Sequence, residues 1–193
     1  MAQYPVLHYS LVSPHIAGLG TLLDFGCGDL GMAQELTNMY PRLRITGIDV
    51  VAPESFVPTR RVRFFPYDGI RIPFPARSFD GVFASHVFHH TNDPEAALRE
   101  CVRVAKKKLI FIEPVLRHPW EKPGFCFMDS LANVFRKEKI PMPFTVQSYP
   151  WWKGIGSKLK LTLQADRAIH TFPAFLPIGE THLFVFEKRH IIR

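Results

Sequence analysis

Between residues 21 and 112 short apolar runs alternate with helix-spaced segments, and this alternation narrows the fold further than any other feature of the chain. Residues 21–27 (TLLDFGC) form an apolar run ending at a glycine turn and read as a first strand. Met32, Leu36 and Met39 then recur at helical spacing. Residues 44–50, 62–67, 79–87 and 109–112 read as four more strands, with Pro66 suited to a strand end. A helix between the second and third strands is nearly absent, because Pro53 and Pro58 bracket only four residues. The helix after the fourth strand has the clearest start signal: Asp93 as N-cap, Pro94 at the first helical position and Glu95 at the positive end of the dipole. Leu98, Cys101, Val102 and Ala105 make its apolar face, and Lys106 to Lys108 are read as closing it. Strands alternating with helices predict a parallel sheet covered on both faces.

After Pro114 the pattern changes. Residues 125–138 and 151–160 read as helices, and residues 161–168 and 182–188 (HLFVFEK) as two late strands. The length of 193 residues suits one domain, which buries enough surface to fold without disulfides or metals. With 47% hydrophobic and 21% charged residues, a disordered or fibrous chain is excluded. Cys27, Cys101 and Cys126 show no paired spacing, which argues for a reducing compartment and against a Cys-based zinc site. No apolar run reaches the roughly 18 residues of a membrane span, and the N-terminus lacks the basic flank and apolar core of a secretory signal. A cytoplasmic location is expected. Of the net charge of +7, residues 115–193 carry +6, together with twelve aromatics including all three Trp. Such a segment can attract nucleic acid, an anionic membrane surface or an acidic aromatic acceptor; a solvated basic surface over an aromatic core explains it equally well.

The main constellation is Asp24-Phe25-Gly26-Cys27-Gly28-Asp29-Leu30-Gly31, at the end of the first strand. Glycines let the backbone turn sharply and approach a ligand, and the following helix offers it an N-terminus. Asp49 stands 21 residues beyond Gly28, where an acid can accept from both hydroxyls of a ribose. These features point to an adenosine-bearing cofactor across the carboxyl ends of the strands. Gly26, Gly28 and Gly31 also satisfy the dinucleotide spacing, so a nicotinamide enzyme is a rival; a lone match of that kind is weak. Asp24 tips the balance. A carboxylate aimed at this turn repels a pyrophosphate and favours a ligand with a cationic end, such as S-adenosylmethionine. Asp68, followed by Gly69, adds a third acid placed to accept from an adenine amino group.

On LLDFGCGDLG (22–31), GIDV (47–50), YDG (67–69) and the long stretch 78–114, the chain resembles the class I S-adenosylmethionine-dependent methyltransferases. It is most similar to their small-molecule branch, the methyltransferase type 11 group that includes quinone-biosynthesis C-methyltransferases. The resemblance implies an α/β, Rossmann-like, doubly wound and mostly parallel seven-stranded sheet with an antiparallel last strand. It implies one methyltransferase domain over 1–193, with a cofactor-binding core at 20–114, a substrate and cap region at 115–180 and the last strand and tail at 181–193. It places Gly26, Cys27 and Gly28 along the methionine end of the cofactor, Asp24 near its amine, Asp49 and Val50 at the ribose, Asp68 and Gly69 at the adenine, and Ser85 and His86 beside the departing methyl. The chain departs from the family at Leu30, which stands where many members have glycine, and at Lys106 to Lys108, which replace a Pro-Gly-Gly turn. The N-terminal helices that often cap the substrate are expected to be missing, which moves acceptor recognition towards residues 115–180.

Methyl transfer from a sulfonium is an in-line displacement, and alignment alone can contribute on the order of 7–11 kcal/mol. A base is needed only when the nucleophile must lose a proton. His86, with His90 second, is the candidate base; packing or turn-capping roles for the histidines are the alternative. The His86-x-x-His89-His90 run has no carboxylate partner at a metal-binding spacing, so no metal is expected. Glu113 reads as a structural acid more readily than a catalytic one, and Cys27 as a small filler. Trp151, Trp152, Phe172 and Phe175 can line an acceptor pocket or belong to the core. Arg117, Lys122, Arg136, Lys137, Lys139, Lys153, Lys158 and Lys160 can recognise an acidic acceptor or form a solvated face. The expected activity is methyl transfer from S-adenosylmethionine, with S-adenosylhomocysteine as product, to a small apolar or aromatic acceptor. Two alternatives stay open: a catalytically silent partner subunit, and a nucleic-acid methyltransferase. The latter is disfavoured because Ser85-His86-Val87-Phe88 stands where base-modifying members carry Asn/Asp-Pro-Pro-aromatic. A partner subunit, a homodimer and peripheral membrane contact also stay open.

Overall fold

Neighbouring residues of the central strands bury on opposite faces of one sheet, as a strand's two-residue period requires when both faces are covered. Leu22, Phe83, Ile110 and Val185 join one core cluster; Leu23, Val82, Phe111 and Phe184 join the other. This computed structural model describes residues 6–134, 142–169 and 179–189, with side chains described from residue 10. In chain order the elements are α1 (Val6–Ile16), β1 (Thr21–Phe25), α2 (Gly31–Met39), β2 (Arg44–Asp49), β3 (Val62–Pro66), β4 (Phe79–Ser85), α3 (Pro94–Val104), β5 (Ala105–Leu116), α4 (Lys122–Asn133), β6 (Gln147–Ser148), α5 (Tyr149–Lys158), β7 (Leu161–Ile169) and β8 (Glu180–Lys188).

The strand order is β3-β2-β1-β4-β5-β8-β7, with the two-residue β6 pairing beside the end of β5. Strands β1 to β6 pair in parallel, whereas β8 runs antiparallel to both β5 and β7. The expected mostly parallel sheet with an antiparallel last strand is therefore present, extended to eight strands by β6. The chain steps outward from β1 through β2 to β3, then returns to the other side of β1 as β4. Their carboxyl ends flank the crevice at which open α/β sheets bind ligands.

One face is packed by α1 and α2 through Val12, Ile16, Met32, Ala33 and Leu36. The other is packed by α3 and α5 through Leu98, Cys101, Trp152 and Ile155. Asp93 caps α3 as expected, accepting from the backbone N–H of Ala96 at 2.9 Å. Three sequence expectations need correction. An N-terminal helix is present: α1 buries Val12 and Ile16 against the sheet. Its apolar spacing is interrupted by Ser10, Ser13 and Pro14, which hid it from the periodicity. The fourth strand ends at Ser85 and not at Val87. Ala105 and Lys106 to Lys108 open a twelve-residue β5 and do not close α3. Lys106 and Lys108 reach acids on neighbouring strands, Asp80 at 3.5 Å and Glu187 at 3.6 Å.

Of the aromatics read as pocket or core, Trp152 is core, with ring centroids 5.1 Å from Phe111 and 5.7 Å from Phe88. Trp151 packs edge-on against it. Phe172, Phe175, Arg136, Lys137 and Lys139 lie outside the described residues, as does the end of the helix expected at 125–138.

Candidate active site

The glycine turn leaves β1 with Gly26 at φ +70° and Gly28 at φ +52°. A side chain at Gly26 would run into Val87, so this turn and the turn that follows β4 are in close contact. The backbone N–H groups of Gly26 and Cys27 both donate to the carbonyl of Ile48 on β2, at 2.8 and 3.1 Å. Gly28 N–H donates to the Asp49 carboxylate at 2.9 Å, and Val51 N–H to its other oxygen at 3.2 Å. The acid at the end of β2 is thereby fixed against the turn, with acceptor capacity to spare on both oxygens.

Leu30 stands where many of the methyltransferases the chain resembles carry glycine, and the structure shows how it is accommodated. It adopts φ +61° at the N-cap of α2, a left-handed conformation more usual for glycine, and its side chain is fully buried. Room for it comes from Gly47 in β2, where a Cβ would collide with Leu30 and lie 2.7 Å from the Cys27 sulfur. A glycine inside a strand is the sequence signal for such a close approach. Cys27 is buried, and burial with the nearby Asp24 pushes its thiol far above the usual range, so it is an inert filler.

Asp24 lies just inside the turn and is 5% exposed. Burial, reinforced by the charges of Asp49 and Asp29, pushes its carboxyl up to about 7. The site thus has an unbalanced negative potential that a cation relieves and a phosphate aggravates. Asp68 sits past β3, exposed, and accepts from the N–H groups of Ile70 and Arg71 at 2.8 and 2.9 Å, which hold it below the usual carboxylate range. Gly69, at φ +80°, faces Val50. An open groove of about 580 Å³, lined by Asp68, Arg71, Ile72 and Phe74, continues from this turn.

On the other side of the crevice β4 ends in Ser85, whose hydroxyl lies 3.1 Å from His86 Nδ1. His86 has φ +56°, a strained conformation held by its N–H bond to Ile112 O at 2.8 Å. Glu113, fully buried on β5, accepts from the N–H groups of Val87 and Phe88 at 2.6 and 2.8 Å and pairs with His89 Nδ1 at 2.8 Å. Burial alone would raise its carboxyl, but His89 and these bonds bring it below the usual range. Glu113 therefore anchors the turn after β4, as a structural acid. Thr145 ties the far side of that turn, donating to Thr91 O at 2.7 Å.

The sequence-derived set separates along the crevice. Asp24, Gly26, Cys27, Gly28, Asp49 and Val50 cluster around the β1 and β2 ends, Asp68 and Gly69 follow β3, and Ser85 and His86 follow β4. His90 instead approaches Asp129 of α4, its Nε2 lying 3.9 Å from Oδ1. Sequence reasoning missed Asp129, which has no spacing relation to the histidines. Three of the basic residues considered for an acidic acceptor lie near acids: Arg117 3.0 Å from Glu180, Lys158 2.7 Å from Glu95 and Lys153 3.7 Å from Asp166. Among the described residues, no helix is long and apolar enough to cross a membrane.

A methyltransferase domain family matches residues 23–112 of the chain. The demethylmenaquinone methyltransferase of Thermotoga maritima is 33% identical over 97 residues, which are 48% of this chain and 42% of that protein. An O-methyltransferase of Pyrenophora dematioidea is 34% identical over 131 residues, 62% of this chain and 47% of that one. The chain spans about half the length of the curated relatives it matches. A chain of the complex between the Haloferax volcanii Trm112 methyltransferase activator and a methyltransferase superposes with a TM-score of 0.71 at 17% identity, over 95% of this chain and 91% of that one. At that identity the likeness is one of fold.

Proposed function

We propose that the protein, whose residues 23–112 match a methyltransferase domain family, uses S-adenosylmethionine to methylate a small apolar or aromatic acceptor and releases S-adenosylhomocysteine. The observation that carries this reading is the buried, unbalanced acid Asp24 beneath a glycine turn whose N–H groups are already committed to β2 and Asp49. A ligand with an ammonium and a sulfonium suits that potential; a pyrophosphate does not. The cofactor supplies a methyl group already activated on sulfur.

The chain's own residues then have distinct tasks. Asp24 balances the cationic end of the ligand, with the backbone of Gly26 to Gly28 alongside. Asp49 accepts from the ribose hydroxyls with Val50 against the sugar, and Asp68 with Gly69 receives the adenine edge. Ser85 and His86 line the methyl end, and His86 takes the proton when the acceptor is a phenol, enol or thiol. Residues 20–114 supply the cofactor half of the site, and chain beyond residue 114 supplies the acceptor contacts. With Lys153 and Lys158 close to acids, an apolar or aromatic acceptor is favoured over an acidic one. A cytoplasmic location belongs to the same proposal and is supported by the free thiols of Cys27, Cys101 and Cys126.

Isothermal titration with S-adenosylmethionine, S-adenosylhomocysteine and NADH tests this. The expected result is micromolar binding of the first two, weakened at least about tenfold in Asp49→Ala. Binding of NADH alone would overturn it.

A second reading, a methyltransferase-like subunit that serves a partner, draws on one observation. Helix α4 buries none of its residues and leaves Phe127 and Leu131 exposed, with Trp120 and Val134 exposed at its two ends. Failure of both methionine-derived ligands to bind would favour it.

A further inference from the structure

We propose that His89, His90 and Asp129 form a binding site for a divalent first-row transition metal ion, held by two imidazole nitrogens and one carboxylate. The Nε2 atoms of His89 and His90 each lie 3.9 Å from Asp129 Oδ1, and one ligand atom from each residue falls within 4.8 Å of the others. These separations exceed a hydrogen bond. A tetrahedral ion with bonds of about 2.0–2.1 Å sets its donors roughly 3.4 Å apart, so each imidazole–carboxylate gap must close by about half an ångström and no donor pair by more than about 1.4 Å.

Three observations converge on the site. The first is the orientation of His89. Its Nδ1 is 2.8 Å from Glu113 and its Nε2 is 3.9 Å from Asp129 Oδ1, so the ring spans two carboxylates with one nitrogen towards each. The gap on the Asp129 side is too long for a hydrogen bond and leaves room for an ion between nitrogen and oxygen. The pairing to Glu113 is also the carboxylate–histidine arrangement that orients metal-ligating imidazoles. The second is Asp129 Oδ2, which is buried and has no hydrogen-bond partner, while Oδ1 is held by Asn133 Nδ2 at 3.0 Å. An orphaned carboxylate oxygen is costly unless something occupies its lone pairs. The third is enclosure: the side chains of His89, His90 and Asp129 are only 4%, 14% and 13% exposed, so an ion held between them is largely shielded from competing water.

The donors come from two elements that the fold brings together. His89 and His90 belong to the single turn after β4 that Glu113 anchors, and Asp129 lies one helical turn beyond Phe125, whose ring packs against His89. Nitrogen and oxygen donors suit Zn²⁺, Co²⁺ or Fe²⁺, and three protein ligands leave a position open for water or an anionic oxygen.

The test uses the full, untagged chain, stripped with chelator and titrated with Co²⁺ and Zn²⁺. We expect one ion per chain, with Co²⁺ giving visible d–d bands of a nitrogen and oxygen donor set. Asp129→Asn and His90→Gln, both near-isosteric, should each weaken binding at least about tenfold, and Glu113→Gln, which leaves all three donors, by about 10–100-fold. Circular dichroism melts confirm that each variant is folded, and S-adenosylhomocysteine titration of the same samples reports separately on the cofactor site. Absence of binding, or equal binding in wild type and the Asp129 and His90 variants, would overturn the proposal. So would thiolate charge-transfer bands abolished by Cys126→Ser, because they would assign the ion to a different donor set.

Discussion

The Glu113 carboxylate and the His89 ring meet at 2.8 Å in a buried pair that fixes the turn after β4. The same carboxylate receives the backbone N–H groups of Val87 and Phe88. One acid on β5 thus holds the turn that follows Ser85 and His86 and sets how the chain leaves the crevice.

Replacing that acid should be felt mainly as stability. Glu113→Gln loses charge-assisted bonds and turns one acceptor oxygen into a donor facing backbone N–H groups. A loss of about 1–3 kcal/mol is expected. Since the folded carboxyl lies below its ordinary value, the wild-type contribution is present at neutral pH and lost as pH falls through the folded pKa. Chemical denaturation should therefore separate wild type and variant at pH 7 and bring them closer in acid.

Asp24 should behave in the opposite sense. Its carboxyl is raised from 3.8 to about 7 in the fold, so ionising it costs stability as pH rises between those values. Asp24→Asn should stabilise the ligand-free protein at pH 8 and change little near pH 4, read as thermal midpoints at the two pH values. An Asp24→Asn protein no more stable than wild type at pH 8 would count against the raised acid.

The same group predicts the pH dependence of cofactor binding. A cationic ligand requires Asp24 ionised, so affinity for S-adenosylmethionine should fall below about pH 7, approaching tenfold per unit. Titrations between pH 5.5 and 7.5 should show this slope in wild type and a weaker, flatter profile in Asp24→Asn.

Gly47→Ala should destabilise the site from beneath. The added methyl would meet Leu30 and Cys27, both buried, and overpacking of this kind costs about 1–3 kcal/mol. Restoring space with Leu30→Ala in the double variant should recover part of that loss. Urea denaturation of the single and double variants gives the coupling directly.

Arg99 and Lys158 provide a contrast. Both pair with Glu95 on the surface. Exposed pairs of this kind contribute about 0–1 kcal/mol, so Lys158→Ala should shift stability little and leave acceptor methylation unchanged in KM.

Much of this protein was written in its local sequence. Residues 21–27, with glycines at 26 and 28, sufficed to place a strand and the sharp turn that leads into α2, because apolar run length and glycine's freedom at positive φ are local properties. Asp93-Pro94 fixed the start of α3 for the same reason: a cap satisfies N–H groups within its own turn. The acids that close strands β1 to β3 were legible from spacing because parallel strands end side by side.

Tertiary structure decided the rest, since it depended on groups far apart in the chain. Helix α1 is stable only because Val12 and Ile16 find the sheet, and its broken pattern gave no periodic signal. Lys106 to Lys108 became strand because β5 pairs with β4 from Ala105 onward and with β8 from Lys108 onward, which no local propensity could reveal. Leu30 was tolerable only opposite Gly47, and Glu113 became an anchor only where the N–H groups of Val87 and Phe88 turned towards it. Asp129 met His89 and His90 through the docking of α4, across a separation that carries no pattern in sequence. Local patterns set the elements and the polarity of the crevice; burial and long-range packing chose the partners of each charged side chain, because that choice is made only when the elements assemble and exclude water.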